Sequence, residues 1–139
     1  MDISYSDFIS VEVYNELRAS AGWLPILPEQ AQAGLDGSAC VVVAYCGARA
    51  VAMARVLWDG GYAALLKDVL VLPDFQGQGI GAALVERIVE FLRKQLRPGW
   101  SITVDVMSAV GKERFYEKMG FVERPHSKRG AGMDRVLYG

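Results

Sequence analysis

The apolar stretches in the first half of the chain are short and rich in valine, alanine or leucine, and turn residues separate them. Gly47 lies between the first two, and Asp59-Gly60-Gly61, a strong hairpin signal, lies between the second and third. This pattern predicts an antiparallel meander of three strands, over residues 39–46, 48–58 and 62–72. Two helices are predicted before it, one from an N-cap at Ser10 to Ala21 and one beginning at Pro28.

Helical spacing replaces this pattern after residue 79, where Ile80, Leu84 and Ile88 share one face. Charged residues cover the opposite face, and Pro98-Gly99 ends the helix. The predicted elements that follow are a strand over 101–107, a helix over 112–119, a strand beginning at Phe121 and a last strand over 133–138. This order, with strand–helix–strand at its centre, predicts an α/β (α+β) fold with a mixed, mostly antiparallel central sheet.

Composition is that of one globular domain, because 139 residues with 52% hydrophobic and 22% charged content can bury one core. We therefore expect a single domain over residues 1–139. No apolar run approaches the roughly 18 residues that a membrane helix needs. The first seven residues are acidic and lack an apolar signal core. A cytoplasmic protein that binds no membrane is the expectation.

Cysteine and histidine are scarce, which limits the site chemistry. Cys40 and Cys46 lie six residues apart on one predicted strand, so about 20 Å would separate them, too far for a disulfide. Buried free thiols are expected. His126 is the only histidine, so no standard zinc set is present and no metal is predicted.

The net charge of −1 is unevenly divided. Residues 1–70 carry four Lys/Arg against eight Asp/Glu, whereas residues 71–139 carry eleven against eight. Either this is ordinary scatter, or a polyanion binds the second half and a cation binds near the first. No dense basic stripe is present, so nucleic acid is not an expected partner.

A glycine-rich turn between a predicted strand and a predicted helix spans residues 73–81. The first N–H groups of a helix lack internal partners, and glycines let an anion approach them, so the turn suits a phosphate or pyrophosphate. The alternative is a loop that needs only glycine's dihedral angles. A Walker P-loop is excluded because no Lys-Ser or Lys-Thr follows. Gly77-x-Gly79-x-x-Ala82 matches a dinucleotide fingerprint, but hairpins precede it and too few residues follow Asp105 for further βαβ units.

Two segments carry a family resemblance. Gln76-x-x-Gly79-x-Gly81 resembles the Q/R-x-x-G-x-G/A signature of the GCN5-related N-acetyltransferases, the GNAT family. The run Phe115-Tyr116-Glu117-Lys118-Met119-Gly120-Phe121 resembles the family's F-Y-x-K-x-G-F segment. The resemblance covers about residues 39 to 122 and implies a GNAT-like fold with a strand–turn–helix acyl-CoA site.

The resemblance also implies an activity, the transfer of an acetyl group from acetyl-CoA to a primary amine by direct attack in a ternary complex. It assigns the pyrophosphate to the backbone N–H groups of residues 76–81, at the start of the helix. It assigns the acetyl and pantetheine groups to a strand bulge over residues 70–72. Lys112 stands near the position where the family often has an asparagine, and it would reach a CoA phosphate. The expected cofactor-binding residues are Leu70, Val71, Leu72, Gln76, Gly77, Gln78, Gly79, Ile80, Gly81, Ala82 and Lys112.

Tyr116 matches the family tyrosine that protonates the departing thiolate, so it is the candidate acid. Asp68 is the candidate base that deprotonates the amine, with Asp105 or water as the rivals. Position alone makes Arg18 and Trp23 candidates for substrate binding, together with Tyr5.

The expected partner is a small-molecule or peptide amine, and a homodimer is compatible with the sequence. The alternative function is a catalytically silent acyl-CoA-binding sensor or interaction module of the same fold. An intact Tyr116 favours the enzyme.

Overall fold

Five strands form one sheet, in the order β1-β2-β3-β4-β5, in the computed structural model, which describes residues 2–139. The first three neighbouring pairs are antiparallel and β4–β5 is parallel, so the predicted mixed, mostly antiparallel sheet is confirmed. The elements up to Val106 are β1 (Ile3–Ser6), α1 (Val11–Ser20), α2 (Pro28–Asp36), β2 (Cys40–Cys46), β3 (Arg49–Trp58), β4 (Ala63–Val71), a 3-10 turn (Pro73–Phe75), α3 (Ile80–Gln95) and β5 (Thr103–Val106).

The chain divides into two compact units, one extending to Val106 and the other comprising residues 107–139. The second unit contains α4 (Glu113–Glu117). No helix within residues 2–139 combines the length and the apolar character needed to cross a bilayer.

Local sequence signals explain where the first helices begin. Ser10 is the N-cap of α1, and its hydroxyl accepts a hydrogen bond from the Val13 N–H at 3.2 Å. Pro28 occupies the first turn of α2, where a missing N–H costs nothing. The α1 and α2 side chains pack with Val43, Met53 and Leu70 of the sheet in one buried cluster. This packing places α1 beside β4.

The α3 helix is the longest element and buries a continuous apolar stripe. Its buried side chains are Ile80, Leu84, Val85, Ile88 and Leu92. They pack against β2, β3 and β4. Fully burying one aliphatic side chain contributes about 1.5–3 kcal/mol, so this stripe fixes the start of α3 at the end of β4.

A bulge interrupts the pairing of β3 with β4. Met53 pairs with Leu70 and Arg55 pairs with Lys67, so Asp68 and Val69 together stand opposite the single residue Ala54. The family resemblance located the bulge over residues 70–72, and the structure places it just before them. The β4–β5 pairing ends at Leu66 and Val106, immediately before the bulge.

Some sequence expectations differ from the structure. The N-terminal strand β1 was not predicted, although it pairs with β2 over its whole length. The strands predicted at Phe121 and over 133–138 are wrong, since residues 121–139 show only an isolated bridge between His126 and Arg129. The Phe121 N–H instead bonds the Tyr116 carbonyl and closes α4, and residues 133–138 are exposed throughout. A short run of apolar residues forms a strand only where one face is buried and a neighbouring strand pairs with it.

Both cysteines are free, as predicted, but they are half-buried rather than buried. Burial and the nearby charge of Asp7 raise the pKa of the Cys40 thiol.

Candidate functional site

The glycine turn joins the 3-10 turn after β4 to the first residue of α3. Gly77 has a φ of +74° and Gly79, the N-cap of α3, has a φ of +83°. Both angles lie in the left-handed region, which glycine alone adopts without strain. The path of the backbone therefore requires glycine at positions 77 and 79, and Gly79 is the first glycine of the sequence motif.

The turn presents a row of backbone N–H groups without protein acceptors. The Gln76 N–H bonds the Pro73 carbonyl at 3.2 Å, and the first helical bond of α3 runs from the Ala83 N–H to the Gly79 carbonyl at 3.0 Å. Between them, the N–H groups of residues 77–82 donate to no acceptor within residues 2–139. No acidic residue lies in the first turn of α3. Such an array suits an anion.

This array differs from the sequence expectation at one position. The Gln76 N–H was expected to face the ligand, but it is used inside the turn. The Gln76 side chain has a different role, because its Nε2 donates to the Val71 carbonyl at 3.0 Å and ties the turn to the end of β4. Gln78 makes a similar bond through its Nε2 to the Asp74 carbonyl, at 3.3 Å.

The end of β4 is open on the side from which β5 has separated. The Leu72 N–H bonds the Val51 carbonyl at 2.9 Å, so the backbone N–H of Leu72 points toward β3. Successive strand residues direct their N–H groups to opposite sides, and Val71 therefore directs its N–H away from β3. The β4–β5 pairs end at Leu66, so no strand pairing uses this N–H. Of residues 70–72, Val71 is the one whose backbone N–H is available.

Asp68 lies in the bulge and is the only buried charged residue in the described part of the chain. Its Oδ2 accepts a hydrogen bond from the Tyr14 hydroxyl at 2.6 Å and another from Arg55 Nε at 2.6 Å. Its Oδ1 lies 3.7 Å from Arg18 Nη1. The carboxylate therefore has two cationic neighbours and does not provide uncompensated negative charge.

Of the residues predicted to bind substrate, Arg18 adjoins this carboxylate. Arg18 donates from Nε and Nη2 to the Leu24 carbonyl at 3.1 and 3.0 Å. Its guanidinium carbon lies 5.3 Å from the centre of the Trp23 ring, which is a cation–π distance. Arg18 thus links the α1–α2 connection to Asp68. Tyr5 is engaged differently, since the Arg87 guanidinium stacks on its ring at 3.8 Å.

Two partners of Asp68 were missed by sequence reasoning. Tyr14 is one of the buried residues of α1, and Arg55 belongs to an otherwise apolar strand. An arginine within such a strand is itself a signal, because a buried guanidinium requires a buried acceptor. Asp105, the rival base, is exposed on β5. No group of three or more potential metal ligands occurs within residues 2–139.

The family model for the acetyltransferase (GNAT) domain matches residues 37–123. The chain belongs to the GNAT family. It is 27% identical to an uncharacterized N-acetyltransferase from Pyropia yezoensis over 135 residues, which cover 93% of this chain and 75% of that one. It is 31% identical to the chloroplastic serotonin N-acetyltransferase 2 of Oryza sativa subsp. japonica over 131 residues, covering 91% of this chain and 64% of the relative.

The fold of this GNAT protein is shared with solved structures. A probable acetyltransferase from Staphylococcus aureus superimposes with a TM-score of 0.83 at 29% identity, covering 99% of this chain and 98% of that one. Glucosamine-6-phosphate N-acetyltransferase from Arabidopsis thaliana superimposes with a TM-score of 0.68 at 16% identity, covering 99% and 100%, which shows the common fold alone. The sequence prediction of an acyltransferase of the GNAT type is confirmed.

The second unit of this GNAT chain carries the tyrosine of the second motif. Tyr116 lies on α4 and is buried, with its ring edge-on to Phe115 at 5.0 Å and to Phe121 at 5.8 Å. Burial raises the pKa of the Tyr116 phenol above its usual value of 10.0. The phenol therefore keeps its proton at neutral pH. Lys112 is the exposed N-cap residue of the same short helix.

The raised pKa of Tyr116 predicts a loss of stability in alkali. Because the folded protein holds the phenolic proton more tightly than the unfolded chain, this contribution is complete below pH 10.0 and is lost as the pH rises through the folded pKa. Urea unfolding at about pH 8 and about pH 11 should show a smaller loss of unfolding free energy for Tyr116→Phe than for the wild type. The exposed Tyr62 provides the control, since Tyr62→Phe should lose as much as the wild type. Equal losses in all three proteins would contradict the burial argument.

Proposed function

We propose that this protein transfers an acetyl group from acetyl-CoA to a primary amine by direct attack in a ternary complex. The observation that carries the proposal is the strand–turn–helix segment, in which one open strand end and one row of unpaired N–H groups adjoin. The amide of Val71 and those of residues 77–82 lie on a single continuous stretch of chain. Membership of the GNAT family supports acetyl-CoA as the ligand of this stretch.

The residues present fit acetyl-CoA. Its pyrophosphate is an anion that the N–H groups of residues 77–82 and the positive end of the α3 dipole would stabilise. The Val71 N–H would hold the acetyl carbonyl, or the oxyanion that develops from it. When bound, acetyl-CoA supplies the activated thioester that the amine attacks. The chain itself supplies the donors and the orientation.

Proton transfer requires an acid. An alkyl amine has a pKa near 10.4 and must lose a proton before it attacks, and the departing sulfur must gain one. Tyr116 is the proposed acid because it belongs to the matched family segment and holds its proton at neutral pH. Its proton would pass from the phenolic oxygen to the sulfur.

The acceptor belongs to the amine class. The relatives bear names that range from a serotonin N-acetyltransferase to the histone acetyltransferase TAP1 of Glycine max, which is 38% identical over 82 residues. This range supports amines, both small and protein-borne, without favouring one of them. We propose that Arg18 and Trp23 contact the acceptor, since Arg18 lies next to Asp68 and its guanidinium lies over the Trp23 ring. Release of free CoA, followed with a panel of amines, alcohols and thiols, tests the reaction. Release with hydroxyl acceptors alone would contradict the proposal.

Substitution of Gly81 tests the site for the pyrophosphate. Gly81→Val places a branched side chain beside the N–H groups of the first turn of α3, so we expect acetyl-CoA to bind at least about tenfold more weakly, or about 1.4 kcal/mol by calorimetry. Gly130→Val in an exposed loop is the control, because a side chain there meets nothing within 4 Å, and it should bind normally. NADH should not bind the wild type appreciably. Unchanged acetyl-CoA affinity in a folded Gly81→Val protein would rule out this assignment.

Removal of one hydroxyl tests the acid. Tyr116→Phe keeps the ring and its packing but has no proton to give, so kcat should fall by about 10² or more while acetyl-CoA affinity stays similar. Tyr62→Phe should have wild-type kcat, because the Tyr62 side chain is exposed in a hairpin. Near-normal turnover of Tyr116→Phe at saturating substrate would show that another group or water protonates the sulfur.

A further inference from the structure

We propose that Asp68 is a positioning residue rather than the base, and that its hydrogen bonds hold the β4 bulge in the shape that opens the acetyl-CoA site. This inference rests on the proposed function. We call Asp68 with Tyr14 and Arg55 the bulge network. The network acts on the backbone of β4, and through it on the direction of the Val71 N–H.

The conformation of Asp68 requires an external cause. Its φ of +53° is the only positive φ at a non-glycine residue in the described part of the chain. Side chains of L-residues disfavour this region, although aspartate tolerates it better than most. Such a conformation persists where the surrounding structure over-determines it. The carboxylate, with 8% of the residue exposed, is the part of Asp68 that the surroundings hold.

Two separate elements, α1 and β3, hold the carboxylate. Tyr14 reaches it from α1 and is itself only 2% exposed, so its hydroxyl has a fixed position. Arg55 reaches it from β3 and is fixed at its other end by Nη1 bonds to the Gly34 carbonyl at 3.3 Å and to Ser38 Oγ at 3.2 Å. Charge-assisted bonds of this kind, at 2.6 Å each, are the strong class of hydrogen bond.

The bulge reverses the direction of the backbone groups of β4. Before it, the Thr103 N–H of the β5 strand bonds the Tyr62 carbonyl at 2.7 Å, so the backbone N–H and C=O groups of even-numbered residues point toward β5. After it, the Leu72 N–H bonds the Val51 carbonyl of β3, so the backbone groups of even-numbered residues point toward β3. A regular strand would keep one alternation throughout. The extra residue at Asp68–Val69 is thus what directs the Val71 N–H to the open side.

The same contacts argue against Asp68 as the base. Oδ2 already accepts two short hydrogen bonds, and Oδ1 lies beside the Arg18 guanidinium. A base must accept a proton from the acceptor amine at hydrogen-bonding distance. A carboxylate whose oxygens are committed in this way is placed to hold the backbone.

The first test separates the effect of the backbone conformation at position 68 from the effect of the Asp68 carboxylate. Glycine adopts a φ of +53° without strain and alanine does not, yet neither carries a carboxylate. If the bend matters, calorimetry should give Asp68→Ala an acetyl-CoA affinity at least about tenfold below that of the wild type, with Asp68→Gly clearly closer to the wild type. If Asp68 is the base, both variants should bind acetyl-CoA normally and be equally slow in kcat, and that result overturns the inference.

The second test uses the Tyr14 hydroxyl, which no base mechanism through Asp68 requires. Tyr14→Phe should weaken acetyl-CoA binding about fivefold or more, because the carboxylate loses one of its short bonds. Tyr45→Phe is the matched control, since its hydroxyl makes only a 3.4 Å bond to the Phe8 carbonyl, and it should bind normally. Normal acetyl-CoA binding by a folded Tyr14→Phe protein overturns the inference.

The pH profile completes the distinction. Asp68→Asn keeps an acceptor oxygen and tolerates the left-handed region, so its kcat–pH profile should keep the wild-type shape. Loss of the limb on the acidic side would instead identify Asp68 as the base. Failure of the wild type to bind acetyl-CoA would overturn the proposed function itself. Equal binding by the wild type and all the variants would overturn only the inference that the bulge network shapes the site.

Discussion

The candidate site depends on the buried carboxylate of Asp68, which lies in the bulge of β4. Burying a charge is unfavourable unless it is paired and hydrogen-bonded, and Asp68 has both kinds of partner. The bend that these partners hold interrupts the regular alternation of β4. The β4–β5 pairing ends at Leu66, just before this interruption, and beyond it the Val71 N–H is directed away from β3.

The glycine turn connects the end of β4 to the N-terminus of α3, which is the second part of the candidate site. Its left-handed residues Gly77 and Gly79 bring the chain from the end of β4 into the first turn of α3 over a very short distance. The Gln76 side chain ties this turn back to the Val71 carbonyl. An open strand end and a helix N-terminus therefore share one rigid connection, which is what binding a long ligand with an acyl group at one end and phosphates at the other requires.

The sequence was sufficient for those features that depend on local chemistry. The N-cap at Ser10, the hairpin at Asp59-Gly60-Gly61 and the glycine motif each specify a local backbone conformation, and the structure shows all three. The family assignment followed from two motifs at the right separation.

Features that depend on partners distant in sequence were not accessible in this way. Tyr14 and Arg55 meet Asp68 across 54 and 13 residues, and neither has a local signal that names its partner. The same reason explains the wrong strand over residues 133–138, because its apolar residues do not reveal whether another strand pairs with it. The bulge was expected two residues too late, since its position depends on the buried contacts of Asp68 and not on the apolar run around it.

The proposed function requires the opened end of β4 and the glycine turn together to bind acetyl-CoA through backbone N–H groups. Hydrogen exchange of the assigned amides by nuclear magnetic resonance, with and without saturating acetyl-CoA, tests it most directly. We expect the amides of Val71 and of residues 77–82 to exchange at least about tenfold more slowly with the ligand, since each gains an acceptor. The Leu72 amide, already bonded to Val51, should change little. Unchanged exchange at Val71 and throughout residues 77–82, with acetyl-CoA bound, would show that these N–H groups do not bind the ligand.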